Sequence, residues 1–394
     1  MEIRIYSPPT ALEPSFVPLA VTYAASAVRY TENFFTFGDF EITIPNEGHQ
    51  ADAFDKYLIV RIDEFEQDNR KTKNRPFWGV VLSLDRSISA AGDMLTVSGV
   101  DLKGLANSRY TLPPLFVDSG RGGVAGFDAV TGTTEACMKH FVNSNFFSSA
   151  SPTRSVPGLV IAPDQGRGTP DDRYMSRYDL LSDVLADLGR AANLGYTIVP
   201  SLAAGTLTFD CVEGVDRSGD QSERSRVFFT VERRNVADMR YTDSDRNTRN
   251  VFYATLSGAA FEDEAFTATY TRDDTPDLPS GIGRWEQHLD ISASHPTPGQ
   301  EYDELKRLAM IRAESYRTVE ALSANVLETQ DEYGKDFFLG DIVTVQNRAW
   351  GVSLNARVTA MTLSASAGNV TRTVTFGDAP VNPIARLRRQ IRGG

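Results

Sequence analysis

Alternating hydrophobic and polar residues dominate the chain and predict that most of it forms β-strands. The period-two pattern is clear in residues 1–6 and 40–44, as in strands with one buried face. The first of these has the pattern of an edge strand. Three other segments are predicted to be helices: residues 134–146, residues 178–194 and a longer segment that starts after Thr297. The expected fold is therefore mainly β with α+β parts.

The two longer predicted helices have apolar faces and end signals. Apolar residues recur at helical spacing in residues 178–194, and Gly195 follows where a left-handed C-terminal cap is expected. Thr297 and Gln300 form a capping box for the last helix, with Pro298 at its first position. Its apolar face, which we expect to pack on β-structure, contains Tyr302, Leu305, Leu308, Ala309, Ala313, Tyr316 and Val319.

Two stretches almost three hundred residues apart repeat one pattern. Each has an apolar strand, a Trp-Gly-Val sequence, a Gly-Asp or Gly-Asn turn that suits a tight hairpin, and a final strand. These parts are 57–62, 78–80, 91–93 and 96–99 in the first copy and 341–345, 350–352, 367–369 and 373–377 in the second. Any two β-meanders share some likeness. The repeat nevertheless predicts two similar small β-barrels, with Trp78 and Trp350 buried at equivalent positions.

Composition and charge narrow the classes of function. A chain of 394 residues predicts two to four domains, and no apolar run approaches the ~20 residues of a membrane span. The net charge of −12 argues against sequence-specific nucleic-acid binding, which needs clustered cations. Cys137 and Cys211 are the only cysteines, and residues 1–6 do not resemble a signal peptide. We therefore expect the chain to fold in a reducing compartment.

The sequence has no strong catalytic or metal-binding motif, and no cofactor is expected. Cys137 and His140 could meet as a thiolate–imidazole pair on one helix, but a structural cysteine beside a surface histidine explains them better. Residues 243–247 begin like a calcium loop, which then lacks the required glycine. Acidic residues at 262–264 and 273–274 could serve a glycosidase, although solvated loops explain them more simply.

Five segments, taken in order, resemble a family of long-tailed bacteriophage proteins related to the baseplate hub or tail-associated protein, of the Tal-like and Gp37-like kind. They are residues 38–45, 97–105, 214–218, 248–252 and 338–343. The likeness extends to Arg284-Trp-Glu286 and to a closing Thr-Phe-Gly at residues 375–377, so it covers nearly the whole chain. The ordered set is more specific than any single segment.

The resemblance implies a homotrimer in which every subunit contributes two tube-like antiparallel β-barrels to a pseudo-sixfold ring. This ring would match a distal-tail or tail-tube ring, close to the tape-measure protein, in the baseplate or tip of a virion assembled in the host cytoplasm. The implied domains are a first barrel at 1–112, a second barrel at 226–258 with 321–380, a split α+β peripheral domain at 113–225 with 259–320, and a basic tail at 381–394.

Two functions remain open at this point. The first is a structural, non-enzymatic hub that continues or closes the tail tube and anchors tail-tip, fibre or receptor-binding proteins. The second is a tail-associated cell-wall hydrolase or a carbohydrate-binding protein that recognises the receptor. Only the basic tail follows the second barrel, so we expect no enzymatic extension there. A tube that passes DNA should have a neutral or acidic lumen, because cationic contacts to phosphate would hold the genome.

The C-terminal segment is basic and amphipathic, and it is the one candidate site for a partner. Ile384, Leu387 and Ile391 share a helical stripe, while Arg388 and Arg389 have no acidic neighbour within the segment. A frayed, solvated terminus would explain the same pattern. The prediction is that these five residues dock on an acidic or apolar groove of another tail protein, or of a neighbouring hub chain, away from the DNA path.

Overall fold

A computed structural model describes most of the chain, and the account of the structure below is confined to that part. The described residues are 1–46, 52–64, 75–89, 92–112, 128–147, 152–170, 172–246, 248–256, 266–271, 279–290, 301–313, 316, 319–327, 331–366 and 368–377.

Strands greatly outnumber helices in the described residues, as the period-two pattern predicts. In chain order the strands and helices are β1 (Glu2–Ser7), β2 (Val17–Thr22), β3 (Ala27–Asn33), β4 (Asp39–Pro45), β5 (Ile59–Asp63), β6 (Phe77–Ser89), β7 (Gly92–Asp101), β8 (Asp128–Gly132), α1 (Thr134–Phe146), β9 (Leu159–Ile161), β10 (Asp172–Ser176), α2 (Leu181–Ala192), β11 (Leu194–Ser201), β12 (Thr206–Glu213), β13 (Phe228–Thr230), β14 (Val236–Ser244), β15 (Val251–Leu256), β16 (Phe266–Thr271), β17 (Glu286–Asp290), α3 (Glu301–Ala313), β18 (Val319–Val326), β19 (Ile342–Asn347), β20 (Val352–Ser366) and β21 (Asn369–Gly377). The mainly β fold class is therefore confirmed.

Thirteen strands form one large sheet. Its strand order is β14-β18-β21-β20-β3-β4-β7-β6-β5-β1-β2, with β19 beside β20 and β13 beside β19. All pairs are antiparallel except β13 with β19. Among the described strands, β14 and β2 at the two ends of this order do not pair with each other, so the sheet is open. β1 lies between β2 and β5, so its predicted edge position is wrong; β2 takes that place.

The repeated pattern corresponds to two similar series of strands within this sheet. β5, β6 and β7 form one antiparallel meander and β19, β20 and β21 form the other, and each meander continues onto a further pair of strands. We call β1–β7 the first half-sheet and β13, β14 and β18–β21 the second half-sheet. They join where β3 pairs with β20, and one continuous hydrophobic core contains residues of both. The two half-sheets thus form one continuous sheet and share one hydrophobic core.

The two tryptophans of the repeat do not occupy equivalent environments, so that prediction is wrong. Trp78 lies within β6 and is half-buried, whereas Trp350 lies in a 3₁₀ turn before β20 and is 49% exposed. The adjacent glycines differ as well. Gly79 leaves room for the ring of Phe40, and Gly351 has a left-handed φ of 66° that ends the turn. The same Trp-Gly-Val sequence therefore lies within a strand in the first copy and begins in a turn in the second.

A helical unit, consisting of α1, α2 and β8–β12, packs against the first half-sheet. Its core is continuous with Tyr6, Ile59 and Val80 of the large sheet. α1 has the predicted bounds, but α2 is shorter than predicted and is capped by Asn193 in the left-handed conformation. Gly195 lies inside β11, so its predicted role as the cap is wrong.

A small sheet of β16, β15 and β17 packs against α3. Leu305, Leu308, Ala309 and Ala313 are buried there as predicted, while Tyr302 is 56% exposed and does not belong to the packed face. The predicted capping box at residues 297–300 lies outside the described residues. β15, which the sequence-based division assigned to the second barrel, pairs with β16 and β17.

Candidate assembly surfaces and the junctions that position them

The segments that carry the family resemblance meet one another in pairs. The first pair, residues 38–45 and 97–105, meets at Asp101, where β7 ends. Its Oδ2 accepts a hydrogen bond from the backbone N–H of Gly38 (2.9 Å), and its Oδ1 accepts one from the N–H of Gly104 (3.1 Å). The second bond caps a 3₁₀ turn at Leu102–Ser108. One carboxylate therefore fixes both the start of β4 and the exit of β7.

The connection between β3 and β4 is also held by a buried lysine. Lys103 Nζ donates to the backbone oxygens of Asn33 (2.5 Å) and Phe34 (3.1 Å) and lies 4.5 Å from the ring centroid of Tyr196. Burial lowers the pKa of Lys103 to about 8 and raises the pKa of Asp101 to about 7. Desolvation thus opposes the charged forms of both side chains, although they attract each other.

Phe34 connects three parts of the molecule. Its ring is 3% exposed and lies against Gly195 of the helical unit and Gly340 of the second half-sheet. A Cβ atom at residue 195 or 340 would lie 2.4 or 2.3 Å from the ring. The guanidinium of Arg357 is 5.6 Å from the ring centroid. The two glycines therefore make room for an aromatic side chain that comes from a loop of the first half-sheet.

The second pair of resemblance segments, 214–218 and 338–343, meets at Asp341. Its Oδ1 accepts from the N–H of Val215 (2.8 Å), and its Oδ2 accepts from Arg217 Nε (2.9 Å) and from the N–H of Phe338 (3.0 Å). Gly214 has no space for a side chain, since a Cβ there would be 1.6 Å from the carbonyl oxygen of Gly340. Asp341 thus ties the end of the helical unit to the start of β19.

The third pair consists of residues 248–252 and 284–286. Asn250 Nδ2 donates to the oxygen of Gly283 (2.7 Å), and its Oδ1 accepts from the N–H of Trp285 (2.9 Å). The Arg249 guanidinium lies 5.9 Å from the centroid of the Trp285 ring. The polar residues of these segments therefore have roles in joining the parts of the chain, and sequence spacing did not indicate which segments meet.

The polar contacts of His140 do not have the geometry of a catalytic relay. Cys137 is buried, with Sγ 3.9 Å from the oxygen of Gly132. His140 Nε2 lies 2.7 Å from Asp128 Oδ1 and 3.4 Å from Ser144 Oγ. A Ser–His–Asp relay needs the two partners on different ring nitrogens, and here both approach the same one.

The structure also locates the other candidate chemical sites. No group of three or more His, Cys, Asp or Glu side chains among the described residues is placed to hold a metal ion. Asp243 lies in β14, and Asp245 Oδ1 accepts from Thr248 Oγ1 (2.9 Å), as in a hydrogen-bonded turn. The acidic clusters at 262–264 and 273–274 lie outside the described residues, and so do the five candidate docking residues of the C-terminal segment. No described helix is long and apolar enough to span a bilayer.

The main strand order of the large sheet ends in two edge strands, β2 and β14, and β13 forms a further edge beside β19. Leu19, Val21 and Tyr23 are all more than half exposed at the β2 end, and Tyr23 is 70% exposed. β14 has an irregular register near Asp238, which has a positive φ of 50°. Irregularities of this kind limit non-specific pairing at an edge. Each end therefore has backbone groups that no described strand pairs.

The outer face of the sheet is polar where the half-sheets join. Thr31 of β3 and Thr362 of β20 form a hydroxyl–hydroxyl hydrogen bond of 3.1 Å across the joint. Thr373 Oγ1 donates to Asn325 Oδ1 (2.6 Å), and Asn325 Nδ2 donates to Asp238 Oδ2 (2.9 Å). The side chains in this row, which runs from β14 to β3, are uncharged except for one carboxylate.

Comparisons with known proteins agree with this architecture. Residues 8–378 match the model of a protein family described as Siphovirus ReqiPepy6 Gp37-like protein. The fold is similar to that of the 43 kDa tail protein of prophage MuSo2 from Shewanella oneidensis, with a TM-score of 0.52, 13% identity, and coverage of 95% of this chain and 97% of that one. It is also similar to a tail protein from Neisseria meningitidis MC58, with a TM-score of 0.53, 12% identity, and coverage of 95% and 96%. No curated protein sequence matches significantly.

Proposed function

The chain belongs to the family of Siphovirus ReqiPepy6 Gp37-like proteins, and we propose that it is a structural component of a bacteriophage tail that serves as the baseplate hub. The observation that carries this proposal is the large sheet, in which two similar meanders are joined side by side and the strand at each end of the order, β2 or β14, has one edge that pairs with no described strand. Two similar half-sheets in each chain would supply the repeated blocks of a ring that has twice as many blocks as subunits.

The proposed hub is a homotrimer in the tail of the virion. Three chains present six tube-like barrels in a pseudo-sixfold ring that continues or closes the tail tube, next to the distal-tail ring and the tape-measure protein. Each barrel is built around one half-sheet, and the helical unit and the small sheet form the peripheral domain. The exposed edge strands β2 and β14 supply surface for the contacts between chains, and such contacts need to bury at least ~1,000 Å².

Under this proposal, DNA also passes through the lumen of the hub without binding to it. The net charge of −12 supports this property, because a surface without clustered cations releases few counterions from phosphate. Anchoring of tail-tip, fibre or receptor-binding proteins belongs to the peripheral domain and to the basic C-terminal segment. The role is structural, and no step of it needs an enzymatic site.

Counting subunits tests the proposal directly. Electron cryomicroscopy of virions should show three copies of the chain in a ring below the tail tube; six copies or one copy would contradict it. Light scattering of the purified chain, alone and with the distal-tail protein, reports whether the trimer forms in isolation or needs that ring. Tails assembled with a chain that lacks residues 384–394 should lose tip proteins, while normal infectious tails would rule out a docking role for that segment.

A carbohydrate-binding role is the second candidate, and one surface favours it. Trp285 is 54% exposed, and beside it Arg284 Nη2 donates to the hydroxyl of Tyr253 (2.8 Å), which donates to Glu286 Oε1 (2.9 Å). An exposed aromatic ring beside fixed polar groups suits a sugar ring that stacks and hydrogen-bonds. Binding of host cell-wall polysaccharide that is lost in Trp285→Ala would support this role. Zymography on cell wall, with no clearing expected, tests the hydrolase version.

A further inference from the structure

The first half-sheet has a groove on its outer face, at the end of the sheet where β21 finishes. The groove has a volume of about 320 Å³ and lies across β3, β4, β7 and β6. Its floor is apolar, with Leu82 and Val100 accessible, and its rim contains Asp39 and Glu41, which are both exposed. Arg29 lies on the same rim, in register with Glu41 on the neighbouring strand. The groove thus combines an apolar strip with an acidic side.

We propose that the basic C-terminal segment of the same chain occupies this groove. The segment has the complementary pattern: Ile384, Leu387 and Ile391 form its apolar stripe, and its arginines include Arg388 and Arg389. The stripe packs on Leu82 and Val100, and the arginines face the carboxylates of Asp39 and Glu41. This assignment rests on the anchoring role proposed above for residues 384–394, and it names the surface of their own chain that holds the segment in place for that role.

The chain is long enough to reach the groove from the end of β21. The backbone oxygen of Gly377 accepts a hydrogen bond from Thr359 Oγ1 (2.5 Å), and the N–H of Phe34 bonds to the oxygen of Thr359 (2.9 Å), so Gly377 lies at the same end of the sheet as the start of β4. β21 is separated from β4 by three strand spacings and from β7 by four, which is roughly 14–19 Å. Six residues, 378–383, span up to about 20 Å when extended.

Disulfide trapping in the full-length chain tests this arrangement. Ser98 lines the groove, so a chain with Ser98→Cys and Leu387→Cys should form an internal disulfide under mild oxidation. The matched control is Ser353→Cys with Leu387→Cys. Ser353 is exposed and lies five residues along β20 from Val358, about 17 Å away, so the C-terminal segment reaches both positions equally well. The native Cys137 and Cys211 are buried and should not compete.

A second pair of variants tests the contribution of charge. In the Ser98/Leu387 cysteine chain, Asp39→Asn with Glu41→Gln should lower the yield of internal disulfide at least about twofold, as expected when exposed ion pairs are removed. Asp85→Asn with Asp93→Asn removes two exposed carboxylates elsewhere on the same half-sheet and should leave the yield unchanged. Far-UV circular dichroism checks that all variants fold.

Three results would each overturn the proposal: equal disulfide yields for Ser98 and Ser353, disulfides only between chains, or no difference between the two charge variants. Mixing isotopically labelled and unlabelled chains separates internal disulfides from those between neighbours. Light scattering on the same samples reports oligomeric state independently. If the chain forms the trimer without the internal disulfide, the groove assignment is wrong and the proposed hub function is unaffected. If the chain forms the internal disulfide but never assembles into tails, the groove assignment stands and the proposed hub function is wrong.

Discussion

Replacing Gly195 by alanine should destabilise the protein only while Phe34 is present. A Cβ at residue 195 would lie 2.4 Å from Cε2 of Phe34 and within 2.9 Å of two further ring atoms, and the buried ring has little room to move. Such overpacking costs about 1–3 kcal/mol. Phe34→Ala alone should cost about 3–5 kcal/mol, because removal of a buried aromatic ring leaves a cavity.

The double variant separates these effects. With Phe34→Ala in place, Gly195→Ala faces the cavity and should cost nothing further, so the coupling free energy between the two positions is about 1–3 kcal/mol. Gly340→Ala provides an internal comparison. Its Cβ would lie 2.3 Å from the same ring, but its backbone also has a φ of +92°, which penalises any side chain. Removal of the ring should therefore relieve only part of the cost at residue 340.

Urea unfolding followed by far-UV circular dichroism measures these differences in the free energy of unfolding. Gly283→Ala is the control, since a Cβ there meets no heavy atom within 4 Å, and it should change stability by less than about 0.5 kcal/mol. If Gly195→Ala is equally costly with and without the Phe34 ring, then the ring is not the reason for glycine at this position, and the account of Phe34 as the connection between three parts of the molecule is wrong.

Three other predictions concern single residues. Leu305→Ala should cost about 2–5 kcal/mol in urea unfolding because Leu305 is 1% exposed, whereas Met310→Ala on the exposed side of α3 should cost under about 0.5; equal costs would contradict the packing of that helix. Asp341→Ala should cost about 3–5 kcal/mol, since Asp341 is buried and its loss leaves the half-buried guanidinium of Arg217 and two backbone amides without their acceptor, and it should speed hydrogen exchange at the Val215 amide; unchanged exchange there would refute the junction. Burial raises the pKa of Asp101 from 3.8 to about 7, so the folded chain holds a proton that the unfolded chain releases, and stability should fall as pH rises through this window. That fall should be smaller in Asp101→Asn, and equal pH profiles would count against the shift.

Local pattern was sufficient to predict much of the secondary structure. The alternation in residues 40–44 predicted a strand with Phe40, Ile42 and Ile44 on its buried side, as observed in β4. The helix at residues 134–146 has the predicted bounds, and Leu305 and Leu308 are buried as their spacing predicted. These features depend on the geometry of a strand or a helix, which repeats within a few residues and therefore leaves a period in the sequence.

Contacts between distant residues decided the rest. Gly195 has the position of a helix cap in the sequence, but the ring of Phe34, 161 positions earlier, explains its missing side chain. The alternation in residues 1–6 predicted an edge strand, but β1 pairs with β2 on one side and with β5 on the other. The segments around Val215 and Asp341 resemble one family, yet their meeting through one carboxylate has no period or spacing that a sequence could display. By itself the sequence determined the local helices and strands and the family, because both depend on short segments of sequence. The tertiary structure decided which segments contact each other, because packing and hydrogen bonding join residues that are far apart in the chain.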